Sequence, residues 1–168
     1  EKSRINYNVI DLGCGNGWAV REFKEHSLCS DVHGIDGSKQ MIKKAQLKDP
    51  NGTYFNEDIL IWNNEIKYDV VFSMEVLYYF KNPQQILNKI YDQLLKSNGQ
   101  LIIGIDHYIE NKASLDWPKE FQLEMTSWTI KKWAEAFLNA GFKNIVIKQV
   151  EVKKNWAGTL IITGFKNE

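Results

Sequence analysis

The most constraining feature of this chain is the run Asp11-Leu12-Gly13-Cys14-Gly15-Asn16-Gly17, with glycine at alternating positions between a β-branched stretch and a helical one. Ile5 to Leu12 reads as a strand and Trp18 to Ser27 as a helix, so the glycines fall in a strand-to-helix turn. Without Cβ atoms there, the backbone can approach a ligand that side chains would exclude. The third small residue of the dinucleotide fingerprint would fall at position 18, which is Trp18, and the Lys-Ser/Thr ending of a P-loop is absent too. The spacing therefore does not describe a phosphate cradle.

The alternation continues downstream. Val32 to Asp36 reads as a second strand, and Ser38 as the N-cap of a helix from Lys39 to about Leu47 that turns Met41, Ile42 and Ala45 inward. After Pro50-Asn51-Gly52, Thr53 to Asn56 forms a third strand and Tyr68 to Ser73 a fourth. The Val70-Val71-Phe72 centre of the fourth lacks polar alternation, as suits a strand covered on both faces by helices. Asn82-Pro83 opens a helix with Ile86, Leu87, Ile90 and Leu94 on its apolar face, stopped by Asn98-Gly99, and Leu101 to Ile105 is a fifth strand. His107 to Ser127, with Trp117-Pro118 in its middle, breaks the rhythm and reads as an irregular substrate-side insertion, the kind of long loop that usually carries function. Ile130, Trp133, Ala134, Phe137 and Leu138 mark a last helix ending at Gly141, and the segments Ile145 to Lys153 and Gly158 to Phe165 close the chain as a hairpin.

Strands alternating with helices imply right-handed crossovers and a parallel sheet in a single α/β domain over residues 1–168. Ligands of such sheets bind at the carboxyl ends of the strands. Those ends are Gly13 to Gly17, Asp36, Asp58, Ser73 to Glu75 and Asp106 to Tyr108, one rim that holds nearly every residue of chemical interest.

Lys plus Arg (21) balance Asp plus Glu (21), which removes the bulk positive field that would gather nucleic acid or anionic lipid. Cys14 and Cys29 have no zinc-type spacing and read as reduced thiols, and no metal site is expected. The apolar runs are too short to cross a bilayer and no leader opens the chain, so a cytoplasmic protein without a membrane partner is expected. Glu1 rather than Met begins the chain, consistent with a domain that lacks an N-terminal lid segment.

Val9 to Trp18 closely resembles the first motif of the class I S-adenosylmethionine-dependent methyltransferases. Gly34-Ile35-Asp36-Gly37-Ser38 followed by Met41 is similar to their second motif, and Asn56-Glu57-Asp58-Ile59 to their adenine-contacting turn. Tyr68 to Ser73 and Leu94 to Leu101 resemble the segments at the fourth strand and before the fifth, in register from about Val9 to Gly164. The resemblance implies a three-layer, Rossmann-like α/β fold with a seven-stranded, mostly parallel sheet and an antiparallel C-terminal strand. It also implies S-adenosyl-L-methionine as cofactor and S-adenosyl-L-homocysteine as product. By the same resemblance, Gly13, Cys14, Gly15 and Gly17 line the methionine and ribose part, and Asp11 braces the turn and faces the amino group. Asp36 holds the ribose hydroxyls, with Gly37 also in the cofactor-binding set, Met41 packs on the base, Asp58 and the Ile59 amide read adenine, and Ser73 offers its carbonyl to the amine.

Methyl transfer from a sulfonium needs alignment and exclusion of water more than a dedicated base. A base is required only where the accepting atom carries a proton of high pKa, and the rim offers Glu75, His107 and Tyr108 for it, with Tyr78 and Tyr79 beside them. Trp117, Phe121, Met125 and Trp128 could roof an acceptor pocket or cover a core edge. The expected partner is a small-molecule acceptor, with the oligomeric state left open. A module that binds the cofactor without catalysis is the alternative, and its mark would be an insertion packed flat over the rim with no cavity. A nucleotide-cofactor oxidoreductase is a third reading, opposed by Trp18.

Overall fold

The computed structural model describes residues 6–168, so Ile5 of the predicted first strand lies outside the described residues. Along the chain run β1 (Tyr7–Leu12), α1 (Trp18–Lys24), β2 (Cys29–Ile35), α2 (Lys39–Lys48), β3 (Thr53–Phe55) and β4 (Tyr68–Met74). They are followed by α3 (Pro83–Lys89), β5 (Leu95–Ile105), α4 (Trp117–Glu120), α5 (Ile130–Ala140), β6 (Lys143–Val150) and β7 (Thr159–Phe165). The strands form one seven-stranded sheet in the order β3-β2-β1-β4-β5-β7-β6. β1 pairs in parallel with β2 and β4, β2 with β3, and β4 with β5, whereas β7 runs antiparallel to both neighbours. The chain winds outward from β1 to β3 and then returns to β4, so the carboxyl ends of β1 and β4 frame the switch point where such sheets bind ligands.

Local chemistry sets the helix ends. The Ser38 side chain accepts the Met41 amide at the start of α2, Asn82 caps α3 ahead of Pro83, and Thr129 accepts the Lys132 amide at the start of α5. Gly141, at φ 103, closes α5 in the left-handed conformation that favours glycine. The boundary that differs most from expectation follows α3, which runs into a π-helical turn at Ile90–Leu94, so that β5 begins at Leu95 rather than Leu101. That turn keeps both Ile90 and Leu94 buried, and the kink at Asn98 (φ 63) is absorbed as a register shift against β4.

The two sheet faces are unequal. On one, Val71, Leu101, Ile103, Leu160 and Ile162 meet Ile86, Leu87, Trp133 and Phe137 of α3 and α5 in the main core. On the other, α1 and α2 cover the β1–β3 half, around Val9, Cys14, Val20, Val32 and Ile42. On this second face β4 is covered in part, with the rings of Trp18 and Phe23 of α1 set 6.2 and 5.5 Å from that of Phe72. An apolar cleft of about 480 Å³ between Trp18, Phe23, Phe72 and Met74 results.

Phe137 is fully buried with its ring 5.1 Å from that of Phe142. Phe137→Ala is expected to cost about 3–5 kcal/mol and Thr129→Ala about 1 kcal/mol, read from urea unfolding midpoints at constant slope.

Candidate cofactor and acceptor site

The glycine turn is held by its own backbone. The Gly13 and Cys14 amides donate to the Ile35 carbonyl at 2.8 and 3.0 Å, the Gly17 amide to the Cys14 carbonyl at 2.9 Å, and the Gly15 amide to Asp36 Oδ2 at 2.9 Å. With those four donors occupied, the turn offers little to a phosphate, which weighs against the oxidoreductase reading. Gly17 sits at φ 73, and a Cβ there would lie 2.6 Å from the Tyr54 hydroxyl, so no larger residue fits. Beside Gly15 the space is open, with nothing within 4 Å of where a Cβ would stand. A ligand can lie against that backbone.

Gly13, Gly15, Asp36, Gly37, Met41 and Ile59 line a single cavity of about 330 Å³, whose remaining wall is Met74, Glu75, Val76 and Tyr79. A second cavity of about 480 Å³ shares Gly37 and Ile59 and adds Asn56, Glu57, Asp58 and Phe80. Asp58 Oδ1 accepts the Leu60 amide at 2.8 Å, which leaves its other oxygen for a ligand, and Asn56 Nδ2 donates to the Asp36 carbonyl at 3.0 Å. Asp36 Oδ1 accepts the Ser38 amide at 2.7 Å, so this carboxylate ties the turn to the start of α2. Sequence reasoning did not single out Met74 and Val76. Their signal is position alone, flanking Glu75 where β4 ends.

Other residues of the implied set act from behind the cavity. Ser73 is buried and its hydroxyl donates to the Leu12 carbonyl at 2.8 Å, which pins β4 to the end of β1. The Cys14 side chain packs into the smaller core, and burial pushes its thiol pKa up. Any Cys14 contact with a cofactor is therefore through backbone. Asp11 is 2% exposed, and burial first, then the charge of Asp36, raises its pKa to about 7.

The three candidates for a base separate in the structure. Glu75 lines the cavity at φ 60, its Oε2 accepts from the Tyr78 hydroxyl at 2.9 Å, and its Oε1 is buried without a hydrogen-bond partner. Burial, then the charge of Asp106, raises its pKa to about 7, despite lowering contributions from Tyr78 and the Asp106 backbone. His107 is fully buried, with Nδ1 2.9 Å from the Ser114 carbonyl and Nε2 2.8 Å from Ser127 Oγ. A carbonyl can only accept, so Nδ1 carries the proton and Nε2 accepts from the serine hydroxyl. Both nitrogens are engaged, and burial lowers the ring's pKa. The Tyr108 hydroxyl donates to the Gly158 carbonyl at 2.8 Å and accepts from Gln149, under the final hairpin.

The insertion packs on its own aromatic residues and on the rim beside the cavity. Trp117 stacks on His107, Trp128 packs on Trp133, and only Met125 of the four roof candidates lines a rim cavity, one of about 200 Å³ with Tyr79, Phe80 and Thr126. The Thr126 amide and hydroxyl donate to the Tyr78 and Phe80 carbonyls at 2.7 Å each, which fastens the insertion beside the rim and leaves the cavity open. No helix among the described residues is long and apolar enough to cross a membrane.

Residues 2–147 match the family model described as a methyltransferase domain. The chain is 29% identical over 119 residues to malonyl-(acyl-carrier protein) O-methyltransferase 1 of Ilyobacter polytropus, covering 67% of this chain and 44% of that protein. It is 27% identical over 129 residues to trans-aconitate 2-methyltransferase of Rhizobium rhizogenes, covering 77% and 47%. It thus spans a little under half the length of these curated relatives. Its fold superposes with a TM-score of 0.84 on a chain of the complex between the Haloferax volcanii Trm112 methyltransferase activator and a methyltransferase, at 24% identity over 98% of this chain and 84% of that one. An S-adenosylmethionine-dependent methyltransferase of Mesorhizobium loti superposes with a TM-score of 0.78 at 18% identity, covering 99% and 94%. With most of its length matched to that family model and its sheet in the same arrangement, the chain belongs to the methyltransferase-domain family, with the class I S-adenosylmethionine-dependent fold.

Proposed function

We propose that this chain holds S-adenosylmethionine along the rim and directs its methyl group to a small-molecule acceptor by in-line displacement. The observation that carries this reading is the convergence of the open Gly15 backbone, Asp36, Ile59 and Glu75 on contiguous cavities at the switch point. When bound, the sulfonium supplies an already activated methyl group. The protein's part is therefore to position the reactants and keep water away.

Each residue's role follows from its placement. Asp36 offers its carboxylate to the ribose hydroxyls, Met41 and Ile59 sandwich the base, and Asp58 with the Ile59 amide reads the adenine edge. Gly13 and Gly15 let the methionine portion lie against backbone, and the buried Asp11 carboxyl braces the turn below it. Of Glu75, His107 and Tyr108, Glu75 is the one that lines the cavity, and Tyr78 positions it. The alternative of a binding module without catalysis would place a flat insertion on the rim; the open cavity and the unpaired Glu75 oxygen favour an acceptor instead.

Asp36→Ala removes both the ribose acceptor and the partner of the Gly15 amide, and is expected to weaken S-adenosylmethionine and S-adenosylhomocysteine binding by roughly 10–100-fold in isothermal titration. An unchanged affinity would contradict the assignment. His107→Ala is expected to lower the melting temperature while leaving S-adenosylhomocysteine affinity within about twofold, since the ring braces the insertion. A large loss of affinity with no change in melting temperature would oppose that placement.

The raised carboxyls carry a pH signature with a definite sign. Folded Asp11 and Glu75 keep protons up to about pH 7 that the unfolded chain releases near its ordinary carboxyl values, so their contribution is greatest in acid and is lost as pH rises toward 7. Asp11→Asn, which stays neutral, should therefore gain stability relative to the parent between about pH 4 and pH 8. Urea midpoints of the two proteins across that range provide the check.

A further inference from the structure

We propose that Lys89 is a positioning residue for the cofactor's base: by gripping the turn after β3 it aims the Asp58 carboxylate, and so sets the preference for adenine over other purines. The proposal rests on the adenine reading given above and adds to it a residue that lines neither of the cavities bordering the turn. Lys89 is the last residue of α3 and half-buried. Its Nζ donates to the Leu60 carbonyl at 2.9 Å and to the Trp62 carbonyl, 29 and 27 residues away along the chain.

Those two bonds complete a closed set. The Leu60 amide donates to Asp58 Oδ1 at 2.8 Å, and the Ile61 and Trp62 amides donate to the Asp58 carbonyl at 3.2 and 2.8 Å. The peptide group joining Leu60 to Ile61 is therefore held at both ends, its N–H by Asp58 and its C=O by Lys89. Beside it Ile59 and Trp62 are buried, and the Trp62 ring lies 5.2 Å from that of Phe55 at the end of β3. Asp58 itself is exposed, so its direction is set by the backbone of the turn rather than by packing. An ammonium offers three donors, enough to satisfy two carbonyls that face the protein. Burial lowers the pKa of Lys89 and the charge of Asp58 opposes that shift, so the two side chains act on each other across the turn.

The consequence is selectivity. The adenine edge offers an amino donor beside a ring-nitrogen acceptor, and hypoxanthine reverses both. A carboxylate oxygen next to the Ile59 amide matches the first pattern and opposes the second, by a margin that lasts only while the carboxylate is held in place. A turn released by Lys89 can swing that oxygen away, which costs the adenine compound its match and relieves the hypoxanthine compound of its clash.

The test is isothermal titration of the parent and its variants with S-adenosylhomocysteine and with S-inosylhomocysteine, its hypoxanthine counterpart. The parent is expected to prefer the adenine compound by about 100-fold. Lys89→Met, which keeps the stem and removes the donors, should reduce that preference about tenfold. Lys89→Gln, too short to reach both carbonyls, reads the same loss should Lys89→Met not fold. Because Lys89 acts through Asp58, adding either substitution to Asp58→Ala should leave the preference of the Asp58 variant as it is. A preference unchanged in the Lys89 variants, even with a lowered melting temperature, or an equal further loss on top of Asp58→Ala, would overturn the proposal. A parent that bound the two compounds alike, or neither, would instead bring down the adenine reading beneath it.

Discussion

The hydrogen bond from the Gly15 amide to Asp36 Oδ2 is the contact on which the site's geometry depends. It joins the end of β1 to the end of β2 across the point where ligands enter. Because Asp36 Oδ1 also takes the Ser38 amide, the same carboxylate sets where α2 begins. One side chain thus holds the turn open and orients the helix that carries Met41 to the cavity. Its charge is felt below the turn as well, where it adds to the burial that keeps Asp11 readily protonated.

Most of the fold was legible in the sequence because its signals are local. Alternating glycines, the caps Ser38 and Asn82, and the helical spacing from Ile130 to Leu138 each specify an element without help from distant residues. The misread boundary lay at Asn98-Gly99, where a strong stop signal sits inside a strand whose pairing with β4 tolerates the kink. The extent of helix coverage over β4 was also hidden, since the Val70-Val71-Phe72 run looks the same whether α1 covers its second face wholly or only through Trp18 and Phe23 on Phe72. That property belongs to the reach of α1 and α2, and neighbouring residues do not encode it.

The site was legible in unequal parts. Residues implied to face the donor cavity through backbone or short side chains, such as Gly15, Gly37 and Ile59, do line it. The long polar side chains could not be placed in advance, because their direction depends on partners far along the chain. His107 is claimed by Ser114 and Ser127, and Tyr108 by a hairpin some 50 residues away. Among the described residues Glu75 has one side-chain partner, Tyr78, which lies three residues on and satisfies one oxygen of two.

Glu75 also occupies a left-handed backbone conformation, at φ 60, that glycine would adopt without strain. A non-glycine residue held there costs about 1–3 kcal/mol. At this one position, then, the fold and the site pull in opposite directions: the replacement that would relax the turn after β4 is also the one that deletes the carboxylate. Selection for robustness alone would tend to erase the carboxylate that lines the cavity, so a stabilised version of this domain chosen without an activity screen is prone to lose that group while keeping the rest of the rim intact.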